Sequence, residues 1–157
     1  MKRTDARTGV SDRRQPQSPD AEFDVTPQAR DIYLADDDAE LRDTLRFALE
    51  SSGHRVTTYD NGPAALEGLL ALPSQRQHRL LLVSIDLPGL DGHTLHEQLQ
   101  AARPRKFIVV FLSVRDSDAD QVRAASAGAF DYLVKPVSIP ILLAKLDVWF
   151  QRCGATA

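Results

Sequence analysis

LLLVSIDLPGLDG, residues 80–92, reads as a buried strand that stops at a polar residue and hands over to a Pro-Gly turn. The unbroken apolar run from Leu80 to Val83 suits a strand covered on both faces of a parallel sheet. In such folds ligands and chemistry collect just past the carboxyl ends of the strands. Two residues compete for that place, Ser84 and Asp86, and the winner decides what chemistry the strand end can carry.

Working toward the amino terminus, a polar loop SQRQHR (74–79) precedes the strand, and 64–72 reads as a short helix closed by Pro73. Asn61-Gly62-Pro63 is a turn with helix-start character, and HRVTTY (54–59) is strand-like. Leu41, Leu45, Ala48 and Leu49 recur at helical spacing before Gly53, a natural helix stop. Ahead of them IYLA (32–35) is a short buried strand that ends in Asp36, Asp37 and Asp38. Three adjacent carboxylates repel one another, so a cation or a functional demand must compensate them.

Toward the carboxyl terminus, Leu95, Leu99 and Ala102 mark a helix that stops before Pro104, and FIVVFLS (107–113) is a second fully apolar strand ending in a hydroxyl. A helix over about 118–127 is stopped by Gly128, and DYLV (131–134) runs into Lys135-Pro136. The last helix has Ser138 as its cap and carries Ile139, Leu142, Leu143, Leu146 and Phe150 near one face, while Trp149 and Phe150 serve packing or a partner surface. Five strands alternating with five helices predict an α/β fold, a parallel sheet covered on both faces.

The chain of 157 residues, 43% hydrophobic and 26% charged, is long enough for one cored domain, expected over 29–152, with a disordered tail at 1–28 and a short tail at 153–157. Residues 1–30 hold six Lys/Arg against five Asp/Glu and the remainder thirteen against seventeen, a balance that disfavours a nucleic-acid binder. No apolar run is long enough to span a bilayer, and no apolar signal core follows the basic amino terminus, so the expected compartment is the cytoplasm, with no membrane partner. Cys153 has no internal disulfide partner and reads as a reduced thiol. The four histidines lack paired metal-ligand spacing and read as surface residues.

Acids after strand one, a polar residue ending strand three, a hydroxyl ending strand four and a Lys-Pro after strand five form a joint pattern. Carried by YLADDDAELR, LLLVSIDLPGLDG, VVFLS and GAFDYLVKP, it resembles the receiver domain of two-component response regulators over roughly residues 31–152. The resemblance implies a flavodoxin-like fold with strand order 2-1-3-4-5 and helices on both faces. It implies that Asp36 and Asp37 are the Mg²⁺-binding acid pair, assisted by the backbone carbonyl at Asp86. Ser113 matches the switch hydroxyl, Tyr132 the switch aromatic, and Lys135 the lysine that contacts the phosphoryl group, with Lys135-Pro136 as a cis peptide. It also implies a sensor histidine kinase, a phosphotransfer protein or another signalling protein as partner, and a homodimer through the helix 4, strand 5, helix 5 face.

The departure lies at the opening stretch. The family's phosphoacceptor precedes the turn proline by four residues, which in this chain is Ser84, with Asp86 two residues later. A serine hydroxyl is a weak nucleophile without an adjacent base and yields a stable ester rather than a labile acyl phosphate. Loss of one carboxylate weakens or abolishes Mg²⁺ binding and frees Lys135 to pair with Asp37. The expectation is a stand-alone, non-enzymatic receiver-like protein acting as a phosphorylation-independent adaptor or as a decoy for a kinase. The alternative is a conventional single-domain regulator or phosphorelay shuttle phosphorylated on Asp86. A haloacid-dehalogenase-type phosphatase is a third reading, but Ser84-Ile85-Asp86 lacks the first aspartate of that motif.

Overall fold

A computed structural model describes residues 28–154, so nearly all of the tail expected over 1–28 lies outside the described residues. The elements alternate strictly: β1 (Asp31–Ala35), α1 (Ala39–Ser51), β2 (Arg55–Tyr59), α2 (Gly62–Leu70), β3 (Arg79–Ser84), α3 (Gly92–Ala102), β4 (Phe107–Ser113), α4 (Asp118–Ser126), β5 (Asp131–Val134) and α5 (Ile139–Gly154). Every neighbouring pair of strands is parallel and the order is β2-β1-β3-β4-β5, the flavodoxin-like arrangement that the sequence implied.

The central strands β3 and β4 are buried along their whole length, which is why both read as apolar runs without alternation. Successive side chains still leave on opposite faces. Leu80 and Leu82 join Ile32, Leu34, Ile108 and Val110 beneath α1 and α5, which contribute Leu45, Leu49, Leu142, Leu146 and Trp149. Leu81 and Val83 join Tyr33, Val109 and Phe111 against α2 and α3, which contribute Ala65, Leu69, Leu95 and Leu99. Burying one aliphatic side chain is worth about 2 kcal/mol, so these two layers dominate what holds the sheet.

Helix starts follow from polar caps. Asp38 accepts from the amides of Glu40 and Leu41 at 3.1 and 3.2 Å, Asn61 from Ala64 at 2.8 Å, Asp91 from Thr94 at 2.8 Å, and Ser117 from Asp120 at 3.2 Å. Gly53, with φ of +93°, ends α1 in the left-handed conformation that a side chain disfavours. Gly92 brings α3 so close to the Ser84 carbonyl that a Cβ would overlap it.

Four expectations need correction. The second helix starts at Gly62 and ends at Leu70 because Asn61 caps it two residues earlier than its first apolar residue indicated. Arg79, read as part of a polar loop, is the first residue of β3 and is buried. The last helix continues past 152 through Gly154, with Cys153 packed partly against the core. The histidines are not all on the surface. His93 and His96 occupy the inner side of α3, their rings 4.8 and 5.6 Å from that of Phe111, because α3 must cover β4 with whatever its inward positions carry. Trp149, by contrast, packs as expected and donates to the Asp131 carboxylate at 2.9 Å.

Burial pushes the pKa values of His54, His93 and His96 below the ordinary 6.5. The unfolded chain then takes up these protons more readily than the folded one. The stabilisation is complete above the ordinary value and is lost as pH falls through the depressed folded values. Asp91 also lies below its ordinary value, chiefly through its hydrogen bond with the Thr94 amide. Asp131 does so because three hydrogen bonds outweigh its burial. Both act only in more acid solution, below about pH 4. Thermal unfolding is expected to give a Tm that is level above about pH 7 and falls below about pH 6. A His96→Leu variant, whatever its absolute stability, should lose part of that slope, and an unchanged slope would refute the assignment.

Candidate functional site

Because all strands run the same way, the ends of β1, β3, β4 and β5 meet along one edge of the sheet. Asp36 follows β1 directly and is fully buried. Its amide donates to the Tyr59 carbonyl at 3.1 Å, its Oδ1 accepts from the Asp38 amide at 2.9 Å, and its carbonyl accepts from the Arg42 guanidinium at 2.8 Å. Asp37, its neighbour, is exposed, and Asp38 is spent as the cap of α1. The three consecutive acids thus divide into a buried carboxylate, an exposed charge and a helix cap.

Lys135 leaves β5 with its amide donating to the Ser113 carbonyl at 2.7 Å, and its peptide bond to Pro136 is cis. Its Nζ lies 2.7 Å from Asp36 Oδ2 and donates to Ser84 Oγ at 3.4 Å. The contact with Oδ2 is ionic, its angles short of a hydrogen bond, so that buried oxygen has no hydrogen-bond donor. Lys135 therefore pairs with Asp36 and not with Asp37, because only Asp36 is turned inward. Ser84 closes β3 at 2% exposure, and Gly92 donates its amide to the Ile85 carbonyl at 2.8 Å, which folds the following turn back under α3.

Asp86 is placed differently. Its side chain is 54% exposed and faces the β4–α4 loop, where Arg115 meets Oδ1 at 3.2 Å. Arg115 does not stand out in the sequence, yet it gathers three of the expected residues: besides meeting Asp86, its amide donates to Ser113 Oγ at 3.0 Å, and its carbonyl accepts from the Tyr132 hydroxyl at 2.8 Å. The available signal was position, an arginine two residues beyond the strand-ending hydroxyl. The site thus has two parts. An inner part holds Asp36, Ser84 and Lys135, and an outer part holds Ser113, Arg115, Tyr132 and Asp86.

None of the four imidazoles belongs to either part. His93 and His96 lie beneath α3, His54 accepts from the Arg30 amide at 3.2 Å, and His78 precedes β3 at the opposite edge. Among the described residues no three His, Cys, Asp or Glu side chains form a group able to hold a metal ion.

A parallel sheet of this order gathers an acid, a lysine and a hydroxyl at its strand ends. The response regulator receiver domain profile matches residues 32–147, and the chain belongs to that family. It is 34% identical over 116 residues to the DNA-binding transcriptional regulator NtrC of Escherichia coli, a match that covers 74% of this chain and 24% of NtrC. It is 33% identical over 121 residues to the transcriptional regulatory protein AfsQ1 of Streptomyces coelicolor, covering 77% of this chain and 51% of AfsQ1. The chain thus spans between a quarter and a half of the length of these relatives. Among solved structures, the CheY-like receiver domain protein of Methanospirillum hungatei superposes with a TM-score of 0.73 at 25% identity, over 82% of this chain and 99% of that one. The BeF3-activated receiver domain of Klebsiella pneumoniae RstA gives 0.68 at 28% identity, over 77% and 98%. The protein is a receiver domain of two-component signalling.

The Lys135–Asp36 pair makes a stability prediction. Removing one partner of a buried pair costs about 3–5 kcal/mol, and Lys135, whose side chain keeps 17% exposure, belongs near the lower end. Urea unfolding of Lys135→Met should therefore show a loss of about 3 kcal/mol. The double variant Lys135→Met/Asp36→Asn should recover much of that loss. A single variant as stable as the parent would show that the pair carries no buried charge.

Proposed function

We propose that this receiver domain signals without the usual aspartyl phosphorylation and acts by protein–protein contact, as an adaptor or as a decoy for a histidine kinase or phosphotransfer protein. The observation that carries the reading is the inner site: Ser84, not Asp86, is the strand-end side chain beside Lys135, and Asp86 is turned away toward Arg115.

The chemistry follows from those contacts. A hydroxyl becomes a competent nucleophile when a base takes its proton. Ser84 Oγ accepts from the Lys135 ammonium, a donor, the Asp36 carboxylate is already paired with that ammonium, and no imidazole is within the site. The residues present also do not fit a tightly held Mg²⁺. One carboxylate is already met by Lys135, the second is exposed, and the strand-end residue brings a neutral oxygen. A kinase docking on such a surface finds the shape of a receiver but no ready acceptor for its phosphoryl group. We place this exchange in the cytoplasm; among the described residues no helix is long and apolar enough to cross a membrane.

Incubation with a small-molecule phosphodonor and Mg²⁺ tests the proposal. The parent chain and Asp86→Asn are both expected to remain unlabelled, and Ser84→Asp is expected to gain an acid-stable, base-labile acyl phosphate. Stoichiometric labelling of the parent that disappears in Asp86→Asn would instead establish a conventional regulator phosphorylated on Asp86.

A further inference from the structure

At the sheet edge remote from Ser84, β3 opens on a buried arginine. Arg79 is 4% exposed; one terminal nitrogen donates to the Pro73 carbonyl at 2.7 Å, the guanidinium also meets the Tyr33 hydroxyl, and its Nε is buried with no hydrogen-bond partner. No carboxylate among the described residues pairs with it. A buried cation without an anion is costly for a fold to keep, and one with an unused donor more so. Arg79 lines a cavity of about 280 Å³ with Ser74, Gln75, Gln77, Arg103 and Lys106. Arg103 donates to the Leu70 carbonyl at 2.8 Å, and neither it nor Lys106 has a carboxylate partner among the described residues. Three cations, two amides and a hydroxyl converge there, and no acid belongs to the lining.

We infer that this cavity is a binding site for a compact phosphate-bearing anion. Arg79 and Arg103 each give one terminal nitrogen to a backbone carbonyl, and their remaining terminal donors together with the Lys106 ammonium suit phosphoryl oxygens. Three positive charges exceed what a single carboxylate could balance, and suit a group with two or more negative charges. The volume lies just below the range of about 300–1,000 Å³ for drug-sized ligands, which restricts the occupant to something near pyrophosphate in size. Ser74 and Gln77 supply neutral donors at the rim, while the Gln75 amide donates to the Gln77 carbonyl at 3.0 Å and holds the loop.

The helix dipole explains part of the arrangement. Cations near helix carboxyl ends are favoured, and Arg103 on the last carbonyl of α2 is such a case. The dipole does not account for a buried Nε without a partner or for a lining free of acids. The cavity is also separate from the strand-end site: Arg79 and Ser84 are the two ends of the six-residue β3, roughly 17 Å apart. The inference therefore stands or falls independently of how Ser84 is read.

Calorimetric titration of inorganic pyrophosphate into the full chain, at about 0.15 M salt with ionic strength held constant, provides the test. One saturable site is expected. Because Arg79 belongs to the core, the variant of choice is Arg103→Gln/Lys106→Gln, with circular dichroism to verify the fold, and its affinity should fall by about tenfold or more. Arg46→Gln, which removes an exposed cation on α1 that belongs to neither site, should bind as the parent does. Absence of saturable binding, equal affinity in the double variant, or loss of binding in Arg46→Gln would each overturn the assignment.

Discussion

Lys135 reaches from the end of β5 to the end of β1, although β3 and β4 lie between those strands, and holds a carboxylate that has no exposure to water. Such a pair is not an inexpensive source of stability, since removing two charges from water costs much of what their attraction returns. Its consequence is geometric. Asp36 can be buried only while the ammonium is 2.7 Å away, and the ammonium can be there only because Ser113 anchors the Lys135 amide at 2.7 Å. Ser84 lies at 3.4 Å from the same nitrogen. An acid at that position would claim part of the lysine and add a third charge to Asp36 and Asp37. With a hydroxyl there, the inner site closes on itself as one cation and one anion.

The architecture was legible because parallel sheets leave a coarse mark in sequence. Leu80 to Val83 and Phe107 to Leu112 are apolar at every position, as strands covered on both faces must be, and the amphipathic stretches between them have the helical period. Errors appeared where a single polar contact overrides the apolar pattern. Asn61 starts α2 early by capping it, and the Pro73 carbonyl draws Arg79 into β3 and out of the loop. Neither contact has a periodic signature.

The sequence showed which residues end the strands but not how their side chains pair. Spacing from Pro88 singled out Ser84 against Asp86, and their side chains do go to different places. Spacing could not say which acid of Asp36 and Asp37 would meet Lys135, because adjacent residues leave a strand end on opposite sides and the choice depends on which one faces the sheet edge. Arg115 escaped notice because its contacts run largely through its own backbone, which any residue type possesses. The histidines were misplaced for the opposite reason: nothing in their spacing tells an inward position of α3 from an outward one, and Phe111 supplies the apolar wall.

One physical asymmetry orders both ends of the molecule. In an α/β sheet of this kind helix amino termini gather at the carboxyl edge of the strands and helix carboxyl termini at the other edge. Partial positive charge at the first edge favours acids, and there the chain places Asp38, Asp91 and Asp118 in caps or first turns beside Asp36. Partial negative charge at the second favours bases, where Arg103 sits on the end of α2. Dipoles of this size, worth about 0.3–1 kcal/mol each, set the sign of an edge but do not bury a charge. Asp36 and Arg79 are the two residues that go further, each taken almost wholly out of water. At one edge the chain provides the opposite charge from its own sequence, in Lys135. At the other, among the described residues, Arg79 meets the Pro73 carbonyl and the Tyr33 hydroxyl but no carboxylate, so its charge is compensated by neutral dipoles alone.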